Sequence, residues 1–389
     1  MKHKRTHRLP RLVRRIIAVL LAAALVLTVW TYRASLAPAS IKSWVQENLL
    51  GNVSGSGFPV SFSGSADAGN FSADGDAPAL VTDMMLIHMS AGGKIRAQQQ
   101  HGYTNPVLRR SGSRFLLLDL GGKDYCISSD GVRFGENTEY PYPLFGGAVS
   151  PNGLYALISM SAGYTSQVTV LDASGKNRFE WASQTDLICA AAFSADGKRL
   201  AAASFTSQSG RLCTSVRIFA LDQAEPLAVQ TYDGMIPLDI AFRADGAAVC
   251  VGDTAAVCLA PDGTTDQTYD YDGQILSAYA LHPTAGAVLA LSAASDGRSG
   301  TLIRLDSEFS VQTLTRFSQP IVDLDLAASR LLVLQSGTVT QWNADGAQDG
   351  TAEVGTDCTR VCADSGTGFF LLGVSEVRYC AGFEAEASP

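Results

Sequence analysis

The side chains able to do chemistry are few and scattered. Eight cysteines stand at Cys126, Cys189, Cys213, Cys250, Cys258, Cys358, Cys362 and Cys380. None forms a C-x-x-C pair, which disfavours a zinc ribbon or thioredoxin-like redox chemistry. Cys250 and Cys258 flank VGDTAAV (251–257), so a hairpin folded between them sets the two thiols facing each other. In an oxidising compartment that pair is the candidate disulfide. Beyond the first 33 residues the histidines are His88, His101 and His282, without metal or triad spacing. The acidic stretches SADGDA (72–77) and YDYDGQ (269–274) fall short of a calcium-loop pattern and suit turns. No nucleophile elbow, phosphate loop or paired catalytic carboxylates stand out. The expectation is no catalytic residue, no metal and no cofactor.

One recurrence carries more. Aromatic and aspartate residues gather in short segments at roughly regular spacing: Tyr103, Tyr140, Tyr142, Trp181, Asp186, Tyr232, Asp233, Tyr271, Asp272 and Phe317. Set around a funnel, with Asp239 and Asp323 as further acids, such a rim suits a peptide or a glycan. The competing reading is that the rings pack between structural units.

The elements that must position these residues repeat. Phe71, Leu108, Val149, Phe193, Phe242, Leu281, Leu326 and Cys362 align as one position, at intervals of 37, 41, 44, 49, 39, 45 and 36 residues. Each unit carries an apolar, Ala-rich segment, a turn such as SADGK or SPNG, a second apolar segment and then alternating runs such as SVRIFALD (215–222). Alternation of period two means strands, and the Asp-Gly, Asn-Gly and Ser-Gly pairs supply permissive turn backbone. Four short strands in about forty residues make one propeller blade. Blades crowd toward the axis, so the innermost strand should be small. Ala148, Ala192, Ala241 and Ala280 stand one place before the aligned residue, while Cys189 and Cys358 stand four before it, as small core residues. The longer, Ser- and Gly-rich connections at 159–167, 204–215 and 292–301 are expected to be loops on the face of the rim.

The fold class is therefore all-β, a β-propeller spanning 58–383 and followed by a short tail (384–389). Eight blades are expected and seven is the alternative, since the first unit (65–100) matches least. A ring must close or leave exposed edges. The last unit ends after its third strand, EVRYCAGF (376–383), and FPVSFSG (58–64) is the spare strand to complete it.

Charge and hydropathy set the topology. Residues 1–33 hold eight Lys/Arg and no Asp/Glu, and the remainder carries 21 basic against 37 acidic residues. That acidic remainder opposes nucleic-acid binding. A basic tail (1–15) precedes an uncharged run (16–32) with Trp30 and Tyr32 at its far end. As a helix the run rises about 25 Å, enough for a short span over 16–33. The positive-inside rule leaves the N-terminus cytoplasmic and the propeller extracytoplasmic, on a single-pass anchor in the cell membrane. The rival is a signal peptide cleaved near Ala37-Pro38-Ala39. Over 34–57 follow a short amphipathic helix, with Ile41, Trp44, Val45 and Leu49 on one face, and a linker.

The repeat FSADGKRLAAAS…VRIFALD resembles the SPDGK-type repeats of bacterial periplasmic and surface propellers, without the Gly-His and Trp-Asp marks of the WD type. The layout also resembles an uncharacterised clostridial family of single-spanning propellers. The shared features are a basic tail, a span, a short helix with a Trp, FPVSFSG and then HGYTNPVLRRSGSRFLLLDLGGKDYCI (101–127). The resemblance implies a propeller and no activity to carry onto any residue. Envelope propellers of this shape mostly bind or scaffold, which is analogy at the level of the fold. The expected function is a non-catalytic binding or scaffold module for an envelope protein or a cell-wall glycan. The alternative is an envelope enzyme acting on a glycan or peptide at the funnel.

Overall fold

The computed structural model describes residues 57–74, 77–128, 135–264 and 266–383. Eight four-stranded antiparallel sheets follow one another, each strand pairing with the next in sequence. They are the blades, 1 to 8, with strands a to d running from the axis outward. The innermost strands are Phe71–Asp74, Pro106–Ser111, Leu144–Val149, Leu187–Phe193, Pro237–Phe242, Ile275–His282, Ile321–Leu326 and Arg360–Ala363. Each contains one of the eight aligned residues, so the first unit is a full blade.

Blade 8 closes the ring as expected. Its outermost strand, Val60–Ser61, comes from the other end of the propeller chain and pairs antiparallel with Glu376–Cys380, Val60 opposite Val377. The N–H of Phe62 extends this ladder to the Ser375 carbonyl (3.0 Å). Phe58 packs on Phe370 and Tyr379, with centroids 5.6 and 5.8 Å away.

The recurring turn has a local cause. In blade 4 the Ser194 hydroxyl donates to Asp196 Oδ1 (2.6 Å), which also accepts the Lys198 N–H (3.0 Å). Gly197, at φ 64°, returns its N–H to the Ser194 carbonyl. Blade 3 repeats this with Ser150, Asn152 and Gly153 (φ 94°). The Asp or Asn shapes the turn and the glycine accepts the left-handed backbone that closes it.

Eight apolar clusters fill the eight gaps between neighbouring blades. Each sheet buries both faces, one against the blade before it and one against the blade after. This overturns the disulfide. Cys250 lies opposite Val257 and Cys258 opposite Val249 across the b–c hairpin of blade 5. Cys250 therefore joins the core toward blade 4 and Cys258 the core toward blade 6. The two thiols point away from each other through the sheet, and all eight cysteines are free. The hairpin was right, but its register is odd by one residue, and side chains alternate faces with period two.

A second correction concerns the connections on the rim face. Residues 204–215 are almost wholly ladder: Arg199–Gln208 and Arg211–Ala220 pair along their full length around Ser209-Gly210. Likewise 159–167 is mostly strand, turning at 162–163. Only 293–299 is a true loop between strands. Ser and Thr suit a strand with both faces near water as well as they suit a loop.

Among the described residues no helix is long and apolar enough to cross a membrane. The expected span and the amphipathic helix lie outside the described residues.

Candidate functional site

Most of the expected rim turns inward. Tyr103 packs in the core between blades 1 and 2, its hydroxyl donating to Asn137 Oδ1 (2.6 Å). Tyr271 is fully buried between blades 5 and 6, and its hydroxyl donates to the Gly252 carbonyl (3.2 Å). Phe317 is buried between blades 6 and 7. Half-buried Trp181 and Tyr232 lie against the cores of the 3/4 and 4/5 gaps. Each ring plugs the gap where the chain passes from one blade to the next, so the packing reading holds for these five. Asp186 is also spent. It ion-pairs with Arg217 (2.7 Å), which donates to the Ser204 hydroxyl (2.7 Å) and stacks on Trp181 (4.8 Å). Tyr142 is half-buried, while Asp233 and Asp272 are exposed, on connections leading into different blades. The Asp272 N–H donates to Asp270 Oδ1 (2.7 Å), so the acids of YDYDGQ build their own turn.

The innermost strands enclose an axial cavity of about 770 Å³. One side of its wall is apolar and mostly small: Gly147, Ala148 and Val149 of blade 3, and Ala191, Ala192 and Phe193 of blade 4. The rest mixes apolar side chains, such as Leu238, Leu276 and Val322, with polar ones: Arg109 and Arg110 of blade 2, Asp239 of blade 5, Ser277 and Tyr279 of blade 6, Asp323 and Asp325 of blade 7, and Arg360 of blade 8. Asp239 and Asp323, expected at a funnel, do line this channel.

These charged groups differ in how they are engaged. An innermost strand has an unpaired edge, whose N–H groups need acceptors. Asp323 accepts the N–H of Val361 (2.8 Å) and the guanidinium of Arg360 (2.8 Å). Asp325 accepts the N–H of Ala363 (2.7 Å). Both acids thus brace blade 8 against blade 7. Arg110 donates to the Ser72 and Ala77 carbonyls of blade 1 (3.0 and 2.6 Å). Asp239 is unlike them. Its one hydrogen bond is from the adjacent Ile240 N–H (2.8 Å). Burial pushes up the pKa of all three channel acids. Asp323 reaches about 6, with Arg360 and the Val361 N–H working against the rise. For Asp239 the opposing influences are the Ile240 N–H and the charge of Arg109. Burial and the charge of Asp239 push the Tyr279 phenol up to about 12.

The mouth of the channel is shaped by a device the sequence did not disclose. In blades 3 to 7 the a–b ladder slips by one residue near its start, at Leu144/Gly146, Ile188/Ala190, Pro237/Asp239, Leu276/Ala278 and Ile321/Asp323. Such a bulge re-aims a side chain. The extra residues are Phe145, Cys189, Leu238, Ser277 and Val322, all four before the aligned position. Cys189, expected as a core residue, is half-buried, and burial raises its thiol to about 11. Leu238, Ser277 and Val322 line the channel and are exposed.

Exposed apolar side chains favour this same face. Twelve large ones stand out from the surface among the described residues. Eight lie on d–a or b–c connections or at the strand ends beside them: Met84, Met160, Tyr164, Ile236, Leu238, Ile275, Val322 and Val374. Of the other four, Val229 lies mid-strand, and Leu227, Val311 and Tyr379 lie at strand ends toward the opposite face. Exposed Asp83, Asp233, Asp272 and Asp296 stand among the eight. An apolar, acidic collar thus marks this face of the ring, with Leu238 and Val322 at the channel itself. Sequence reasoning missed Arg109, Tyr279 and the apolar collar. Their only signal was position in the repeat, two to four places before the aligned residue for Tyr279, Leu238 and Val322.

No curated protein matches the chain. Among solved structures it is similar to the C-terminal WD40 domain of Sif2, at 10% identity and a TM-score of 0.58, over 83% of this chain and 97% of that one. At that identity the likeness shows the β-propeller fold alone, reached here without the WD sequence marks. A family model matches residues 81–378, from the end of strand b of blade 1 to strand c of blade 8. The chain is thus a β-propeller that belongs to the Family of unknown function (DUF5711).

Proposed function

We propose that this propeller is a non-catalytic binding module, held at the outer side of the cell membrane by its N-terminal segment, and that its apolar collar grips an envelope protein. The uneven placement of exposed apolar side chains carries this reading: eight of the twelve among the described residues stand on the face of the d–a and b–c connections. Exposed apolar side chains gathered on one face among polar groups mark an interaction face. The interspersed aspartates favour a protein with a basic surface over an anionic lipid surface, which would repel them. The anchor rests on sequence, seven Lys/Arg ahead of an uncharged run.

The experiment is crosslinking in living host cells with the full chain as bait, beside a Met160→Ser/Ile236→Ser/Ile275→Ser variant. These surface changes should alter stability by no more than about 0.5 kcal/mol each. One abundant envelope protein is expected with the native chain and should be lost with the variant. Retention on purified wall polymer without any protein partner would move the reading to a cell-wall glycan.

A further inference from the structure

The axial channel has a chemistry separate from that of its collar. Blades 5 and 7 carry aspartate at the same place in the repeat, Asp239 and Asp323. Asp323 meets Arg360 of the next blade at 2.8 Å. The residue in Arg360's place beside Asp239 is Tyr279, and no hydrogen bond joins the two. Asp239 therefore keeps one carboxylate oxygen without a protein donor, half-buried on the channel wall. Blade 2 stands opposite blade 6 in a ring of eight, and it presents Arg109. That guanidinium is exposed to the channel, and its one hydrogen bond goes to its neighbour's carbonyl, Leu108 O (3.1 Å). Among the described residues, one cavity thus holds a carboxylate and a guanidinium that each make a single local backbone hydrogen bond, and a phenol hydroxyl that makes none, with the small-residue wall of blades 3 and 4 beside them.

We propose that the channel binds a small zwitterion, a molecule carrying a protonated amine and a carboxylate on a short frame. Asp239 takes the amine, Arg109 takes the carboxylate and the Tyr279 hydroxyl bonds between them. The charges decide the class. Three arginines (Arg109, Arg110, Arg360) and three aspartates (Asp239, Asp323, Asp325) line the channel, so neither a simple cation nor a simple anion meets a wall of opposite sign alone. A zwitterion pairs Asp239 and Arg109, the two charged channel groups that make only a local backbone hydrogen bond, without changing the net charge of the channel. Charge-assisted bonds to a guanidinium and a carboxylate are the strong ones, and a cavity of 770 Å³ is of ligand size.

The test is calorimetric titration of the full chain in detergent with alanine, glutamate, lysine and alanyl-alanine, and with propionate and alaninamide as single-charge controls. At least one zwitterion should bind, and both controls should bind about tenfold or more weaker, a difference of about 1.4 kcal/mol. Asp239→Asn and Arg109→Gln should each weaken binding of that zwitterion about tenfold or more, at an unchanged unfolding midpoint. Tyr279→Phe, which removes only a hydroxyl, serves if either variant misfolds, and it should weaken binding severalfold. The proposal is overturned if no zwitterion binds at roughly 10 mM, if the controls bind equally well, or if the variants bind like the native chain. The collar variant should keep zwitterion binding while losing its protein partner, so failure of one reading is distinct from failure of the other.

Discussion

At the scale of single residues, repeat position sets where a side chain sits and the neighbouring blade sets what it does. Asp323 shows the consequence for stability. Its folded pKa, about 6, lies above the ordinary carboxyl value of 3.8. The folded state therefore holds the proton more tightly. The associated stability is complete below about pH 4 and is lost as pH rises through 6, by about 3 kcal/mol for a shift of this size. Asp323→Asn cannot titrate. Denaturant unfolding from pH 4 to 7 should show the native chain losing about that much relative to the variant, and parallel profiles would contradict the assignment. Tyr271 tests the packing role of the rim. Tyr271→Ala should destabilise by about 3–5 kcal/mol. Tyr271→Phe, which loses only the bond to the Gly252 carbonyl, should cost about 1 kcal/mol. Equal, small effects in chemical denaturation would return Tyr271 to the exposed rim.

At the scale of elements, the two devices that matter are the closing strand and the bulges. Val60–Ser61 is only two residues long, yet it covers the edge of Glu376–Cys380 and places Val60 in the core between blades 8 and 1. A chain beginning at residue 66 exposes that edge, a template for pairing with another copy. Compared with a chain beginning at residue 57, it should unfold at lower denaturant and self-associate on size-exclusion chromatography. Monomeric behaviour with an unchanged midpoint would show that the ring does not depend on this strand. The bulges act differently. By inserting one residue at the start of five innermost strands, they turn Leu238, Ser277 and Val322 toward the channel mouth. They build the rim of the site without adding a loop.

At the scale of the whole molecule, the two faces are unequal. The face of the d–a and b–c connections carries the apolar collar, while the opposite face ends in the repeated Ser-x-Asp-Gly type of turn. Those turns spend their polar side chains on their own backbone, as Ser194 and Asp196 do. The connections of the first face are freer to vary, because the gap beneath each is already plugged by a buried ring such as Tyr271 or Phe317. Function on a propeller belongs to such variable connections on a rigid frame, and the crosslinking and titration experiments both address this face.

The sequence by itself determined the architecture: all-β, a propeller of eight blades with seven as the alternative, and closure by a strand within 58–64, which the structure narrows to Val60–Ser61. That was legible because a blade is a meander whose ladder partners are near in sequence, so alternation, turn residues and repeat length carry the information. What only the tertiary structure decided is which way each side chain faces and whom it meets. Cys250 and Cys258 share a hairpin, but a register odd by one residue sends them into different cores. The rim rings carry the composition of a binding surface, but the next blade covers them. Asp239 and Asp323 are the same residue at the same place in the repeat. One is paired and one is not because their partners, Tyr279 and Arg360, come from neighbouring blades 40 and 37 residues further along. Contacts between blades obey packing and charge rather than local pattern, and there the sequence alone falls silent.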